Sequence, residues 1–304
     1  MVRPRRVLVV DDAEEWSTEL VETLRREGYY AESASTAEQT LEQLDTSLYH
    51  VVVLDIRLED NNPKNIDGIK LLQELTRRNI SETIKVIMLS YYDTKEYMRT
   101  TFRDYGVVDF LSKGEFNKKI FLDSIERAFS EKVNINLSLD IFWQDANGPD
   151  EAVLNLAING ACITQDTPLQ RLIALELDDL LCRLFYEAKS TLVRPITPGQ
   201  SATGVLEAEL FYLHTRSRGI VVVKFGSIHK IEQEYSNFKK YVEHSLGGGR
   251  STVVHGLRQT LHLGGILYSF VGVADTRLQD FENFYRHKEI SRIKKGLEQL
   301  FLGT

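Results

Sequence analysis

The sequence predicts an α/β protein: a doubly wound sheet of five parallel strands at the N-terminus, followed by an α+β domain at the C-terminus. Two observations carry this prediction. Short runs rich in Val, Ile and Leu alternate with amphipathic segments over residues 5–130. Beyond residue 190, strand-like runs with glycine turns lie before and after one helical stretch.

The strand candidates of the first unit are Arg6–Val10, Tyr30–Ser33, Val51–Leu54, Lys85–Leu89 and Val107–Leu111. Between them, Trp16, Leu20 and Leu24, and again Ile69, Leu72 and Leu75, recur at helical spacing. Apolar strands separated by helices predict a parallel sheet covered on both faces. In such sheets ligands bind beyond the carboxyl ends of the strands, where the strand order reverses.

The residues at those ends are chemically coherent. The first strand ends in Asp11 and Asp12, the third in Asp55 and the fourth in Ser90, and Lys113 follows the fifth. Taken singly, a strand-end Asp is usually a cap or turn former and a Lys a solvated surface group. Together they place three carboxylates, a hydroxyl and an ammonium on one rim. Clustered carboxylates repel unless a hard divalent cation lies among them. Magnesium, with oxygen ligands and retained waters, suits that set, leaving Asp55 as nucleophile and Ser90 and Lys113 for the phosphoryl oxygens.

Over residues 5–130 this pattern resembles the receiver domain of two-component response regulators, a flavodoxin-like fold. The resemblance rests on the pair Asp11 and Asp12, on Asp55, Ser90 and Lys113, and on Phe110 three residues before the Lys. It implies phosphorylation of Asp55 by a cognate histidine kinase and a metal shell completed by the backbone carbonyl of Arg57. It also implies that Ser90 moves toward the phosphoryl group while Phe110 turns inward, altering the face formed by the fifth strand and its flanking helices. Two positions depart from the family pattern. The polar loop IRLEDNNPKNID between Asp55 and Gly68 is long, and Gly114 follows Lys113 where Pro is common.

Residues 132–189 are expected to link the two units through a strand and helices. Val133, Ile135, Leu137, Leu139 and Ile141 alternate as in a half-buried strand. Ala146-Asn-Gly-Pro149 forms a turn, and residues 150–159 are expected to be helical. A second helix starts with Asp166 or Thr167 as cap and Pro168 just inside, and its stripe runs from Leu169 through Leu177 and Leu181 to Phe185.

In residues 190–304, two strands joined by a glycine-containing turn precede IVVVKFG, a helix from about His229 to His244, and the strands STVVHGL and GGILYSFVG. The chain closes with a helical stretch from about Leu278 to Phe301. VVVKFG, the IEQE helix, SLGGGR and GGILYSFVG resemble the small lobe of kinase-like, ternary-complex-associated domains. The resemblance implies that Lys224 is the nucleotide Lys and Glu234 its helix partner, with Glu232 second. Gly199 and Gly204 would cover the phosphates, and ATP is the nucleotide such a site would take. After GGILYSFVG comes no HRD-like or DFG-like segment, so this chain is not expected to be a phosphotransferase.

A formal net charge of −7 with no long Lys/Arg block disfavours nucleic acid as partner. No apolar run approaches the roughly 20 residues that span a bilayer, and the start MVRPRRVLVVDD lacks the features of a secretory signal. Two cysteines in 304 residues fit a reducing compartment. The expected protein is therefore a cytoplasmic phosphorelay response regulator that passes its state to a kinase-like module. That module would bind a protein partner, and a homodimer is left open. The rival expectation is the N-terminal fragment of a receiver-regulated kinase-like enzyme, which a catalytic lobe beyond Thr304 would favour.

Overall fold

The computed structural model describes residues 3–59, 65–91, 101, 103–144, 148–196, 202–213, 218–242, 254–269 and 289–295. Burial on both sides accounts for the apolar strands of the first unit. In β1 (Arg6–Val10) and β3 (Val51–Leu54), every residue from Val7 to Val10 and from Val51 to Leu54 is buried. With β2 (Tyr30–Ala34), β4 (Lys85–Ser90) and β5 (Asp109–Ser112) they form a parallel sheet in the order β2-β1-β3-β4-β5. The fifth strand starts two residues later than its apolar run, because Val107 and Val108 lead into it.

Odd and even positions of each strand serve opposite faces. Val7, Val9 and Val53 pack with Leu20 and Leu24 of α1 (Glu14–Arg26), and with Phe121 and Ile125 of α4 (Lys118–Arg127). Leu8, Val10 and Val52 pack with Leu44 of α2 (Ala37–Thr46) and Leu72 and Leu75 of α3 (Asp67–Arg77). Local chemistry sets the helix ends. The side chains of Thr36 and Asn117 accept from the first-turn backbone N–H groups of α2 and α4.

The alternating run that starts at Val133 is not one strand. Residues Ala128–Val133 continue α4 as a π-helical turn, and only Asp140–Trp143 forms a strand, β6. A single helical turn, Pro149–Ala152, stands where residues 150–159 are expected to be helical; the short hairpin β7 (Ala157–Ile158) and β8 (Ala161–Cys162) follows. The helix α5 (Pro168–Leu184) begins on Thr167, one of the two expected caps, whose side chain accepts from the Gln170 N–H.

The second sheet is mixed. It contains β6, β9 (Ser190–Ile196), β10 (Gly204–Phe211), β11 (Arg218–Ser227), β12 (Val254–Gln259) and β13 (Leu263–Ser269), in the order β12-β13-β11-β10-β9-β6. β6 runs parallel to β9, and the other neighbours are antiparallel. The helix α6 (Ile228–Asn237) follows β11 and packs on β13. Leu177, Leu180 and Leu181 of α5 share a core with Leu206, Val223, Phe225 and Leu263. The segment 132–189, expected as a link, thus gives this sheet an edge strand and its core helix. The expected closing helix is described only over residues 289–295, which are helical from Ile290 to Lys295.

The opposite side of α5 meets the first unit at the amino ends of its strands. His50, just before β3, places Nε2 2.8 Å from Oδ1 of Asp179. Its Nδ1 accepts from the Arg6 backbone N–H at 3.0 Å, so the proton resides on Nε2 and is donated to Asp179. Arg183 donates Nε to Asp179 Oδ2 at 2.7 Å, and its Nη2 reaches the Thr83 carbonyl at 3.4 Å. Arg3 forks onto Asp178 beside them. Leu261, in the turn between β12 and β13, packs against the first unit's core. Among the described residues, no helix is long and apolar enough to cross a membrane.

Candidate functional site

The strand order reverses between β1 and β3, and the carboxylates stand at that crevice. Asp11 and Asp12 follow β1, Asp55 follows β3, Ser90 ends β4 and Lys113 follows β5. Asp55, Ser90 and Lys113 are 4%, 0% and 5% exposed, so water barely screens their interactions. Ser90 Oγ donates to Asp55 Oδ1 at 2.5 Å, and Lys113 Nζ donates to Oδ2 at 2.5 Å. Lys113 also lies 2.6 Å from Asp11 Oδ2, bridging the two carboxylates. The Arg57 backbone N–H approaches Asp55 Oδ1 at 3.4 Å.

Burial works against every charge here. It pushes the Asp11 carboxyl up to about 6; the Asp55 charge adds to this, and Lys113 opposes it. For Lys113, burial disfavours the ammonium, yet Asp55 and Asp11 outweigh it and raise its pKa. One oxygen each from Asp11, Asp12 and Asp55 fall within 4.8 Å of one another. Three hard oxygen donors at that spacing fit a small divalent cation that keeps several waters.

Residues without a sequence signal complete the pocket. Gly68, in the first turn of α3, takes the only side chain the space allows, since a Cβ there would lie 1.9 Å from the Asp55 carbonyl oxygen. The buried Asn65 accepts from the Leu58 and Asp67 N–H groups and shapes the approach to α3. Trp16 and Tyr91 flank Lys113, their ring centroids 5.4 Å and 5.7 Å from its Nζ, and Phe116 packs edge-on to Trp16 at 5.1 Å. Phe110 is already 8% exposed and packed in the core with Val107 and Met88. An inward turn on phosphorylation therefore does not start from an exposed ring.

In the second unit, Lys224 on β11 pairs with Glu234 on α6, as expected. The second carboxylate oxygen is also taken, because the Tyr268 hydroxyl donates to Glu234 Oε1 at 2.7 Å. Glu232 instead lines the cleft between the units. Gly204, expected over phosphates, begins β10, and a Cβ there would lie 2.1 Å from the Phe225 ring. Its glycine serves ring packing inside the sheet. Gly199 lies outside the described residues.

Comparison with known proteins matches these two regions separately. Residues 7–125 match the family model of the response regulator receiver domain, and residues 188–304 that of ternary complex associated domain 9. The alkaline phosphatase synthesis transcriptional regulatory protein PhoP of Bacillus subtilis (strain 168) is 31% identical over 109 residues, 36% of this chain and 42% of that protein. The chain therefore spans under half the length of this curated relative. A CheY-like response regulator receiver domain protein from Methanospirillum hungatei JF-1 is 25% identical with a TM-score of 0.38, covering 43% of this chain and 97% of its own. The non-phosphorylated HemR receiver domain from Leptospira biflexa is 26% identical with a TM-score of 0.37, covering 42% and 95%.

Proposed function

We propose that this chain, whose N-terminal unit is a response regulator receiver domain, takes a phosphoryl group on Asp55 from a histidine kinase and passes that state to its second unit. The convergence of Ser90 and Lys113 on the two oxygens of the Asp55 carboxylate carries the proposal. Receiver domains bind magnesium through such an acidic pocket, and here Asp11, Asp12 and Asp55 would hold it, with the Arg57 carbonyl proposed to complete the shell. When bound, the cation would supply charge neutralisation for the transferred group. An Asp55 oxygen forms the new O–P bond as the P–N bond of the donor phosphohistidine breaks. Lys113 is placed to pair with the incoming phosphoryl oxygens and Ser90 to donate a hydrogen bond to one of them. Trp16 and Tyr91 flank the Lys113 ammonium on that rim.

The docking of α5 on the amino ends of the strands supports a relay through the sheet itself. The sheet joins the phosphorylated rim to His50 and Thr83 at its opposite end. The second unit is proposed as the partner-binding module. Its order β9-β10-β11 followed by α6, with Lys on the third strand and Glu on the helix, supports the kinase-small-lobe likeness. The saturation of Glu234 by Lys224 and Tyr268 supports a brace between strand and helix rather than a nucleotide contact.

Hydrogen exchange tests the relay. With acetyl phosphate and magnesium, protection should change both around Asp55 and over residues 168–184 and 260–263. A change confined to the Asp55 rim would overturn the relay while leaving phosphorylation intact.

A further inference from the structure

We propose that the cleft between the two units binds a nucleotide, with its phosphates held by Lys85, Lys132 and Arg258 and its base against Tyr186 and Tyr212. The cleft has a volume of about 520 Å³ and draws its lining from both units. Glu82 and Lys85 come from the receiver, Lys132 from the turn after α4, Arg183 from α5, Glu232 from α6 and Arg258 from β12. Four cations thus face two carboxylates. Arg183 is engaged by Asp179, but Lys132 and Arg258 pair with no carboxylate among the described residues. Lys85 spends its ammonium on neutral groups, the carbonyls of Ser81 at 2.7 Å and Glu82 at 3.1 Å.

Burial first, and then the charges of Arg183 and Lys132, hold Lys85 below the usual 10.5 despite Glu82. A multivalent anion would relieve that repulsion and form charge-assisted hydrogen bonds. The cleft also continues. A second hollow of about 570 Å³ shares Asn134, Arg183 and Arg258 with the first and runs past Tyr186 and Tyr212 over Leu210, Val221 and Leu267. Tyr186 is 50% exposed there, an aromatic face without a protein partner over much of its surface. One end suits phosphates and the other a planar, largely apolar group, a combination that a nucleotide supplies and inorganic phosphate does not. Because the lining comes from both units, an occupant would clamp the receiver to its neighbour.

Titration calorimetry of the full chain with ATP, tripolyphosphate and adenosine tests the site. ATP should bind saturably, tripolyphosphate more weakly at the same site, and adenosine more weakly still. Arg258→Ala and Lys132→Ala, both exposed and remote from the cores, should each weaken ATP about tenfold, as expected for one charge-assisted contact. Tyr212→Ala should weaken ATP but not tripolyphosphate, and Lys224→Ala should leave ATP affinity unchanged. Absence of saturable ATP binding at millimolar concentration would overturn the proposal. So would affinity that is lost in Lys224→Ala and retained in Arg258→Ala, since the nucleotide would then occupy the second unit's own lysine site. Capture of an acidic peptide in place of ATP, competed by tripolyphosphate alone, would equally overturn it.

Discussion

His50 and Asp179 meet at 2.8 Å across the junction of the two units, 1% and 2% exposed. The relationship ties the first residues of the central strand β3 to the core helix of the second sheet. Burial works against the Asp179 charge, but Arg183 and His50 outweigh it and hold its carboxyl far below the usual range. A carboxyl depressed in this way adds stability above its unfolded pKa, and that stability is lost as pH falls through the folded value.

Removing that charge without changing its shape should be costly. Asp179→Asn leaves Arg183, 6% exposed, without its carboxylate. Breaking one side of a buried pair costs about 3–5 kcal/mol. Urea unfolding should show the loss, with the two units melting as separate transitions. A single transition at the wild-type midpoint would show that the pair does not hold the junction.

Gly68→Ala tests the approach of α3 to the phosphoacceptor. A methyl 1.9 Å from the Asp55 carbonyl oxygen must push α3 away or displace Asp55. Stability should fall by at least about 2 kcal/mol, within the range of core overpacking. Phosphorylation by acetyl phosphate should slow about tenfold or more, and a wild-type rate would rule out this constraint.

The β12–β13 turn should give a pH signature of opposite sign to that of Asp179. His262 donates Nδ1–H to Glu176 Oε1 at 2.6 Å, and its backbone N–H donates to Oε2 at 2.9 Å. Burial disfavours the imidazolium, but the Glu176 contacts outweigh it and raise His262 above the usual 6.5. A raised folded pKa gives stability that is complete below the unfolded value and is lost as pH rises through the folded one. Thermal midpoints should therefore decline as pH rises above the usual histidine value of 6.5 more steeply in wild type than in His262→Gln. Equal slopes would remove His262 from the account.

Lys224→Ala separates a brace from a ligand contact. The Lys224 and Glu234 side chains are 25% and 28% exposed, so solvent screens their pair. Its loss should cost about 1 kcal/mol or less, because Tyr268 still holds Glu234. Thermal melts measure this, and a loss of several kcal/mol would mark the pair as structurally central.

Much of the receiver site was legible in the sequence because parallel strands buried on both faces are nearly continuous apolar runs, and their ends are punctuated by the residues that do chemistry. Asp11, Asp12, Asp55, Ser90 and Lys113 all stood at such ends. Gly68 left no comparable signal, since its importance lies in an approach of α3 to the Asp55 backbone that only the fold creates. The junction was hidden for another reason. Leu177, Leu180 and Leu181 mark one face of α5, while Glu176, Asp179 and Arg183 recur three and four residues apart on its other side and look solvated. Asp179 and Arg183 are buried where the first unit meets α5 at His50 and Thr83, and Glu176 is buried under the β12–β13 turn of its own unit. The alternation from Val133 to Ile141 misled because a π-helical turn and an extended segment bury alternate residues without pairing as a strand.

Intact-mass spectrometry after incubation with acetyl phosphate and magnesium tests the central claim most directly. The wild-type chain should gain one phosphoryl group, stable in acid and released by hydroxylamine as an acyl phosphate, and Asp55→Asn should gain none. Equal labelling of wild type and Asp55→Asn, or no labelling of either, would contradict the assignment of Asp55 as the phosphoacceptor.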